Sequence, residues 1–502
     1  MMKLSVITAL LLIISCSISY ADINGDELFK SGLDAFNNHN FEKSIDFFNQ
    51  SIIVYDEEKN LEAARNAHHM KNRATWMLVE MVYNITQARE VLRSSYPNLS
   101  EEERERYLLP GESIQMISDG QVRFFIGIAN NAAYHNISIL KEISRSKGQS
   151  EGFDELYPVI TADSRFNGPY GNPKTFQANN TLSIPREYLP DLGTLQVWLP
   201  LPIELESQKD ISVNYLEPAE YVKSEPITNG DHGQVYFEIP LSEMNGPFLN
   251  VSAGYQFTVF ERRHKVDPER ISPYDKSTKF YPQYTRSQPN IKITPEISDL
   301  AKEIVGDEMN PYRMAEKIYW YILDTYPYST VPHTYLAAAK IPESNFMYET
   351  GYGDCGTQSM FFCALCRSLG IPARSAGGYQ LIPGLAGPHF WAEFYLPEYG
   401  WIPVDITIAG SADSAFDKPV EDLERYKAYF FGNMDPYRYT IQNDVDIPVS
   451  PDPENDIIFT MVHQAPVVVC KESWEDVELI GMGYRTITFS EVSTLKNALN
   501  LL

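Results

Sequence analysis

Apolar residues recur every three or four positions through the first third of the chain, which is the period of an amphipathic helix. The pattern predicts two short helices between residues 26 and 60, joined by a turn at His39-Asn40. It continues as one apolar stripe over residues 64–92, which predicts a single long helix. A further helical stretch is predicted over residues 121–143, so residues 22–157 are expected to form an all-helical region.

The first helix pair resembles one tetratricopeptide repeat. Gly32 and Phe48 stand where such a repeat has its packing glycine and its large apolar residue, whereas Ala35, Ser51 and Asp56 depart from the pattern. A single copy cannot form a solenoid, because about three repeats are needed to bury a continuous core. This region is expected either to dock a protein partner or to act as a scaffold for the next domain.

The pattern changes near Pro158 to short alternating runs separated by Pro, Gly and Asn. Residues 194–199, 235–239 and 249–260 alternate between apolar and polar positions, which predicts strands with one buried face. These strands indicate an antiparallel sheet domain, expected to be a β-sandwich, over residues 158–289. Nothing in this domain suggests chemistry.

Helical signals return at Thr294-Pro295 and Asn310-Pro311, each a favourable N-cap followed by Pro at the first helical position. These helices open a third folded unit that contains the chemistry described below. The chain therefore divides into a leader, a helical region, a β-sandwich, a core and an extension, at residues 1–21, 22–157, 158–289, 290–445 and 446–502.

The length of 502 residues and the net charge of −26 limit the partners. Asp and Glu outnumber Lys and Arg, and no compact basic cluster offsets them, so nucleic acid and anionic membrane surfaces are poor partners. No calcium loop, zinc pattern, phosphate-binding glycine motif or dinucleotide fingerprint occurs, so no cofactor or metal is expected.

The sequence opens with Met1-Met2-Lys3, followed by an apolar run over residues 4–18 and by Ser19-Tyr20-Ala21, which is typical of a secretory signal. The run is too short to span a membrane comfortably, and no later stretch approaches the required length. The protein is expected to be exported to the periplasm, the cell surface or the medium. Cys16 also lies in a sequence that resembles a bacterial lipid-attachment box, so attachment through a lipid on Cys16 is an alternative.

Four cysteines follow the leader, and they are too few for a disulfide scaffold. Cys363 and Cys366 form a Cys-x-x-Cys pair inside an apolar helical stretch with no second ligand pair nearby. We therefore interpret both as core residues and not as a metal or redox site.

Cys355 follows Gly353-Asp354 and precedes an apolar helical run that ends at Gly370, which places it at a helix N-terminus. Unpaired amides and the positive end of the helix dipole favour a thiolate there, so a lowered thiol pKa is expected. His389 lies on one predicted strand and Asp405 at the end of the next, on two arms of one hairpin.

The hairpin register decides whether His389 and Asp405 can meet. A four-residue loop would pair Leu396 with Trp401 and turn Asp405 to the wrong face of the sheet. A five-residue loop over residues 396–400 pairs Tyr395 with Trp401 and sets Asp405 diagonally from His389, roughly 7 to 8 Å apart at the backbone. The chemistry requires this second register or a bulge.

With that geometry Cys355 would attack an amide carbonyl, His389 would move its proton, and Asp405 would orient and stabilise the imidazole. The motifs Gly-Asp-Cys-Gly from Gly353, His-Phe-Trp-Ala-Glu-Phe from His389 and Gly-Trp-Ile-Pro-Val-Asp from Gly400 resemble the transglutaminase-like superfamily over about residues 290–445. Residues 366–374 and 430–435 resemble further segments of that family. Ile406 departs from it, because the family often has Pro after the aspartate.

The resemblance implies an α+β, papain-like or transglutaminase-like core, with the cysteine on a helix N-terminus and His and Asp on an antiparallel sheet. That family includes cross-linking enzymes, peptidases, amidases and inactive members, and the fold alone does not choose among them. We expect a cysteine-dependent peptidase or amidase acting on a protein or peptide through a thioester, because water is the acyl acceptor unless the site excludes it and binds an amine. A protein-glutamine transglutaminase and a non-catalytic binding or scaffold protein are the alternatives.

The leader generates a direct prediction. The mature chain should begin at Asp22, because the small residues before it form a signal-peptidase site. Intact-mass and N-terminal sequencing of the exported protein would check this, and an acylated Cys16 at the N-terminus would contradict it.

Overall fold

The computed structural model describes residues 24–146, 149–162, 166–416, 418–453, 455–461 and 463–492. The leader, Cys16 and the expected start at Asp22 lie outside the described residues. Within this part of the chain, no helix is both long and apolar enough to cross a membrane.

The N-terminal region is helical, as predicted, with one small hairpin inserted. Its elements are, in chain order, α1 (Gly25–Asn37), α2 (Phe41–Glu58), α3 (Leu61–Val79), α4 (Ile85–Ser95), α5 (Glu101–Arg106), β1 (Gln115–Ser118), β2 (Gln121–Phe124), α6 (Ile128–Tyr134), α7 (Ile137–Ser146) and α8 (Gln149–Thr161). Helices α1 and α2 are the predicted pair, and a Cβ on Gly32 would lie 2.6 Å from the Phe48 ring. That packing is local to the pair, and the tetratricopeptide resemblance stays a prediction.

Two predictions for this region are wrong. The stripe over residues 64–92 forms α3 and α4 and not one helix, because the side chain of Asn84 caps a new helix by accepting from the Gln87 N–H. The stretch from residue 121 begins as a β-hairpin, in which Asp119 and Gly120 take positive φ of 51° and 74°. Asp-Gly is a favoured two-residue hairpin turn, and this local chemistry outweighs the helical spacing.

The middle of the chain forms two sheets over a shared core. Its strands are β3 (Tyr170–Pro185), β4 (Thr194–Pro200), β5 (Gln208–Glu217), β6 (Gln234–Pro240) and β7 (Phe248–Arg263). The inward face of β7 is buried as predicted, and each of its large apolar side chains contributes about 1.5 to 3 kcal/mol. The sheet begins later than the change near Pro158 suggested, because Pro158 lies inside α8.

The elements that follow build the third unit and the extension. They are α9 (Phe280–Thr285), α10 (Pro295–Val305), α11 (Pro311–Thr325), α12 (His333–Ala339), α13 (Glu343–Thr350), α14 (Cys355–Ser368), β8 (Ala373–Gln380), β9 (Gly387–Leu396), β10 (Gly400–Val404), α15 (Ile406–Gly410), α16 (Ala412–Ala415), α17 (Val420–Tyr429), β11 (Asn433–Met434), β12 (Arg438–Gln442), β13 (Val467–Cys470), α18 (Glu478–Gly483) and β14 (Arg485–Glu491). The predicted starts of α10 and α11 are confirmed, since Thr294 and Asn310 cap them through their side chains.

Three sheets are shared between distant parts of the chain. The third unit has the antiparallel order β10-β9-β8-β12, and α14 packs across β8 and β9. In the middle, one sheet has the order β11-β7-β3-β14 with β5 also pairing β7, and the other has the order β13-β4-β6. The extension thus supplies β13 to the sheet of β4 and β6, and β14 to the sheet of β3 and β7.

The helical region packs directly on the third unit. Arg73 of α3 donates two hydrogen bonds to the Ala338 carbonyl, and Glu80 accepts from the Thr334 and Tyr335 amides at the start of α12. Asn131 of α6 pairs with Thr330 through three hydrogen bonds. Through these contacts the helical region supports the third unit. A site for a protein partner on the helical region stays a prediction.

The pairing of β8 with β12 leads to a stability prediction. A Cβ on Gly378 would lie 1.7 Å from the Tyr439 carbonyl oxygen, so Gly378→Ala must push the two strands apart. We expect a loss of about 3 kcal/mol in the free energy of unfolding, measured by urea denaturation. Gly387→Ala, where nothing lies within 4 Å, is the matched control and should stay near wild type.

Candidate active site

Cys355 is the first residue of α14, as predicted. The side chain of Asp354 caps the helix by accepting from the Thr357 N–H at 3.1 Å. Gly353 is required at this turn, because a Cβ there would lie 2.0 Å from the Thr357 hydroxyl oxygen. Among the cysteines of the described residues, Cys355 alone keeps part of its surface exposed.

The expected lowering of the thiol pKa is not found. Burial raises the pKa of the Cys355 thiol and the negative charge of Asp354 raises it further, while the Phe390 and Gly356 amides oppose the shift. The thiol on its own therefore favours its protonated form. Ionisation requires a base that takes the proton and stays beside the sulfur as a cation.

His389 lies on β9 and Asp405 directly follows β10. Tyr395 pairs with Trp401, which is the register that the chemistry requires. The loop is shorter than the predicted five residues, because Leu396 also pairs with Gly400 and only residues 397–399 remain unpaired. Gly400, with a φ of 77°, permits this tight connection.

The register brings the two side chains into contact. Nε2 of His389 lies 2.8 Å from Oδ2 of Asp405, and both residues are buried. The amide of Phe390, the residue after His389, is directed at the Cys355 sulfur. The structure thus brings the three predicted residues together, although no hydrogen bond joins the thiol to the His389 ring in the described part of the chain.

Asp405 is held by more than His389. Its Oδ1 accepts from the Ile408 N–H at 3.0 Å, since α15 begins at Ile406 where the strand ends. Nη1 of Arg438 lies 2.7 Å from its Oδ2. Burial opposes the charged form, but His389 and Arg438 outweigh it and hold the pKa of Asp405 at about 2.

Sequence reasoning missed Arg438. It lies on β12 and also forms a buried ion pair with Asp435, three residues earlier. The segment over residues 430–435 resembles the family, and the Asp-x-x-Arg spacing that begins at its last residue, Asp435, is the available signal. The partnership with Asp405 depends on strand order, which no local pattern shows.

Sequence reasoning also missed two tyrosines. Burial and the nearby Cys355 raise the pKa of Tyr134 on α6 and of Tyr328, and their rings lie 4.7 Å apart between centroids. Tyr134 belongs to the helical region, so that region contributes to the surroundings of the thiol.

The other residues singled out from the sequence are structural. Arg374 forms an ion pair with Glu393 and lies over the Trp401 ring at 4.1 Å. Cys363 and Cys366 are fully buried within α14, as predicted. Within the described ranges, no group of three or more Cys, His, Asp or Glu side chains could hold a metal ion.

A cysteine at the start of a helix, packed on an antiparallel sheet that carries a His–Asp pair, defines the papain-like and transglutaminase-like class of fold. Residues 298–406 match the family model of the transglutaminase-like superfamily. The chain therefore contains a transglutaminase-like domain.

Three curated relatives are similar to parts of this chain. A Haemophilus influenzae uncharacterized protein is 26% identical over 293 residues, which cover 52% of this chain and 77% of the relative. YebA of Bacillus subtilis is 26% identical over 41% of this chain and 31% of its own length. A protein-glutamine gamma-glutamyltransferase of Pseudomonas aeruginosa is 29% identical over 108 residues, or 16% of each chain.

Two solved structures show a distant likeness. A candidate cysteine protease from Cytophaga hutchinsonii has a TM-score of 0.40 and 15% identity, covering 65% of this chain and 93% of its own. The periplasmic domain of TgpA from Pseudomonas aeruginosa has a TM-score of 0.24 and 14% identity, covering 51% and 93%. At these scores neither structure bears on the function of this chain.

The exposure of Cys355 predicts selective labelling. Iodoacetamide should modify Cys355 at least about tenfold faster than Cys363, Cys366 or Cys470, because those three are buried. Peptide mapping by mass spectrometry measures each site. Equal labelling of the four thiols in folded protein would contradict the prediction.

Proposed function

We propose that the protein is an exported cysteine-dependent amide hydrolase, a peptidase or amidase, that acts through Cys355, His389 and Asp405. The observation that supports this most directly is the 2.8 Å contact between His389 Nε2 and Asp405 Oδ2, beside a cysteine at a helix start. Export rests on the leader pattern alone.

The geometry assigns a role to each ring nitrogen. Because Nε2 of His389 is bonded to Asp405, Nδ1 is the atom left to take the proton of Cys355. The raised thiol pKa fits general-base activation, in which the thiolate forms together with the imidazolium and not beforehand. Asp405, ionised above about pH 2, stabilises that imidazolium.

The reaction then follows in two steps. The Cys355 sulfur attacks the amide carbonyl, and the backbone N–H of Cys355, at the start of α14, would bind the oxyanion. His389 gives its proton to the leaving amine as the carbon–nitrogen bond breaks, which leaves a thioester. His389 then takes a proton from water, the hydroxide adds to the thioester, and the acid and the thiol are released.

Amine transfer is the second candidate. It would use the same thioester, with a primary amine in place of water. The match to a protein-glutamine gamma-glutamyltransferase supports it, although that match spans 16% of either chain. Nothing in the site favours an amine over water, so we place hydrolysis first.

A single assay tests both reactions. The protein is incubated with a glutamine-containing peptide and a labelled primary amine, with Cys355→Ala as the control. Free acid without adduct supports hydrolysis, and amine incorporation supports transfer. Turnover that persists in Cys355→Ala would refute both, and comparing exported proteins with and without Cys355→Ala would identify the natural substrate.

The Asp405 contacts predict the effect of a matched substitution. Asp405→Asn should lower turnover by about 10⁴-fold, because an amide cannot stabilise the imidazolium and can favour the wrong tautomer. The steady-state rate on a peptide amide measures this, with circular dichroism to verify the fold. A rate within tenfold of wild type would count against the proposed role of Asp405.

A further inference from the structure

A second histidine lies next to the catalytic helix, between two carboxylates. His333 is the first residue of α12, and its Nε2 lies 2.6 Å from Oδ2 of Asp354. Its Nδ1 lies 3.0 Å from Oε1 of Glu343 on α13. A Cβ on Gly356, in the first turn of α14, would lie 3.7 Å from the His333 ring.

The two contacts favour a doubly protonated ring. A neutral imidazole has one donor and one acceptor, whereas ionised carboxylates only accept. Both ring nitrogens can bond ionised carboxylates only if the ring carries two protons and a positive charge. In agreement, burial lowers the pKa of His333, but Asp354 and Glu343 outweigh burial and raise it well above its usual value.

Asp354 connects this imidazolium to the thiol. One carboxylate oxygen caps α14 through Thr357, and the other bonds His333. Asp354 directly precedes Cys355, and its negative charge opposes the thiolate. A cation bonded to Asp354 therefore offsets this negative charge directly beside the thiol.

We propose that His333 is a positioning residue for the reaction: its imidazolium neutralises the carboxylate that caps the Cys355 helix and so makes the thiolate accessible to general-base activation. This rests on the proposed function, in which Cys355 is the nucleophile. The Asp354 carboxylate caps α14, and the His333 imidazolium offsets the unfavourable effect of its charge on the thiolate.

Other charged groups face the same cluster. Glu80 on α3 adds negative charge near His333 and bonds the amides at the start of α12. Asp446 acts on Glu343, Tyr134 and Tyr328 flank Asp354 and Cys355, and Asp405 lies on the far side of the thiol. Burial raises the pKa of Glu343, so it takes up a proton on acidification before Asp354, whose pKa is lowered. The His333–Asp354 pair is therefore the one that persists.

The pH dependence of Cys355 alkylation tests the proposal. Iodoacetamide labelling of the full chain is followed from about pH 5 to about pH 10 in wild type, His333→Gln, Asp354→Asn and the double variant. His333→Gln should raise the midpoint by about one pH unit, because Asp354 is left unneutralised. His68→Gln, at a histidine of α3 that packs on Trp474, is the control and should leave the midpoint unchanged.

The double variant separates charge from structure. Asn at position 354 can still accept from Thr357 but carries no charge, so His333→Gln/Asp354→Asn should return the midpoint to the wild-type value or below. Asp354→Asn alone should not raise the alkylation midpoint. This variant keeps the test decisive if His333→Gln fails to fold. An unshifted midpoint in folded His333→Gln, or a double variant that stays shifted, overturns the proposal.

The two proposals fail in different ways. If Cys355→Ala retains turnover, the proposed function is wrong, whatever the alkylation midpoints show. If Cys355 is required for turnover but the alkylation midpoint does not change in the His333 and Asp354 variants, only the proposed role of His333 is wrong.

Discussion

The carboxylate of Asp405 is the point at which the candidate site is tied to the rest of the fold. It ends β10, caps α15 through Ile408, bonds His389 and pairs with Arg438, all without contact with solvent. A buried charge is tolerated only when it is paired and hydrogen-bonded, so these contacts are a condition of having the residue there. Arg438 lies beyond residues 298–406, so the site depends on chain outside the family match.

The same compensation recurs around the thiol. Glu393 lies between Arg262 and Arg374, and Arg438 pairs with Asp435 as well as with Asp405. Glu393 and Asp435 thus each have a cation beside them, in the region of α14 and its sheet. Within the described residues the Cys355 thiol has no permanent cation of this kind, so in the proposed reaction its activation depends on His389 gaining a proton.

Much of the fold and of the candidate site could be predicted from the sequence, because the interactions that determine it are local. Thr294, Asn310 and Asp354 cap their helices by side-chain contacts within three residues. The hairpin register followed from one requirement, that His389 and Asp405 share a face. The length of its loop did not follow, because a positive φ at Gly400 allows a tighter turn than the pattern shows.

The other features could not be predicted from the sequence. Some depend on residues that are distant along the chain, and others depend on a local turn that interrupts a continuous helical spacing. Asn84 and Asp119-Gly120 redirect the backbone locally against a helical spacing that continues across them. Arg438, Tyr134 and His333 reach the site from other elements, through packing that no spacing encodes. The lowered thiol pKa expected from the helix start is not found, because burial and the negative charge of Asp354 raise the pKa of Cys355.

The strands contributed by the extension have a consequence for how this protein is made. β14 pairs with β3, joining Glu491 to Phe176, and β13 pairs with β4. Contacts between such distant segments form slowly, and until they form, the edges of β3 and β4 stay open. A ribosome must release the chain through Glu491 before the sheet of β3 and β7 can be completed. Until then the middle sheets present open strand edges, which later pair with strands of the extension.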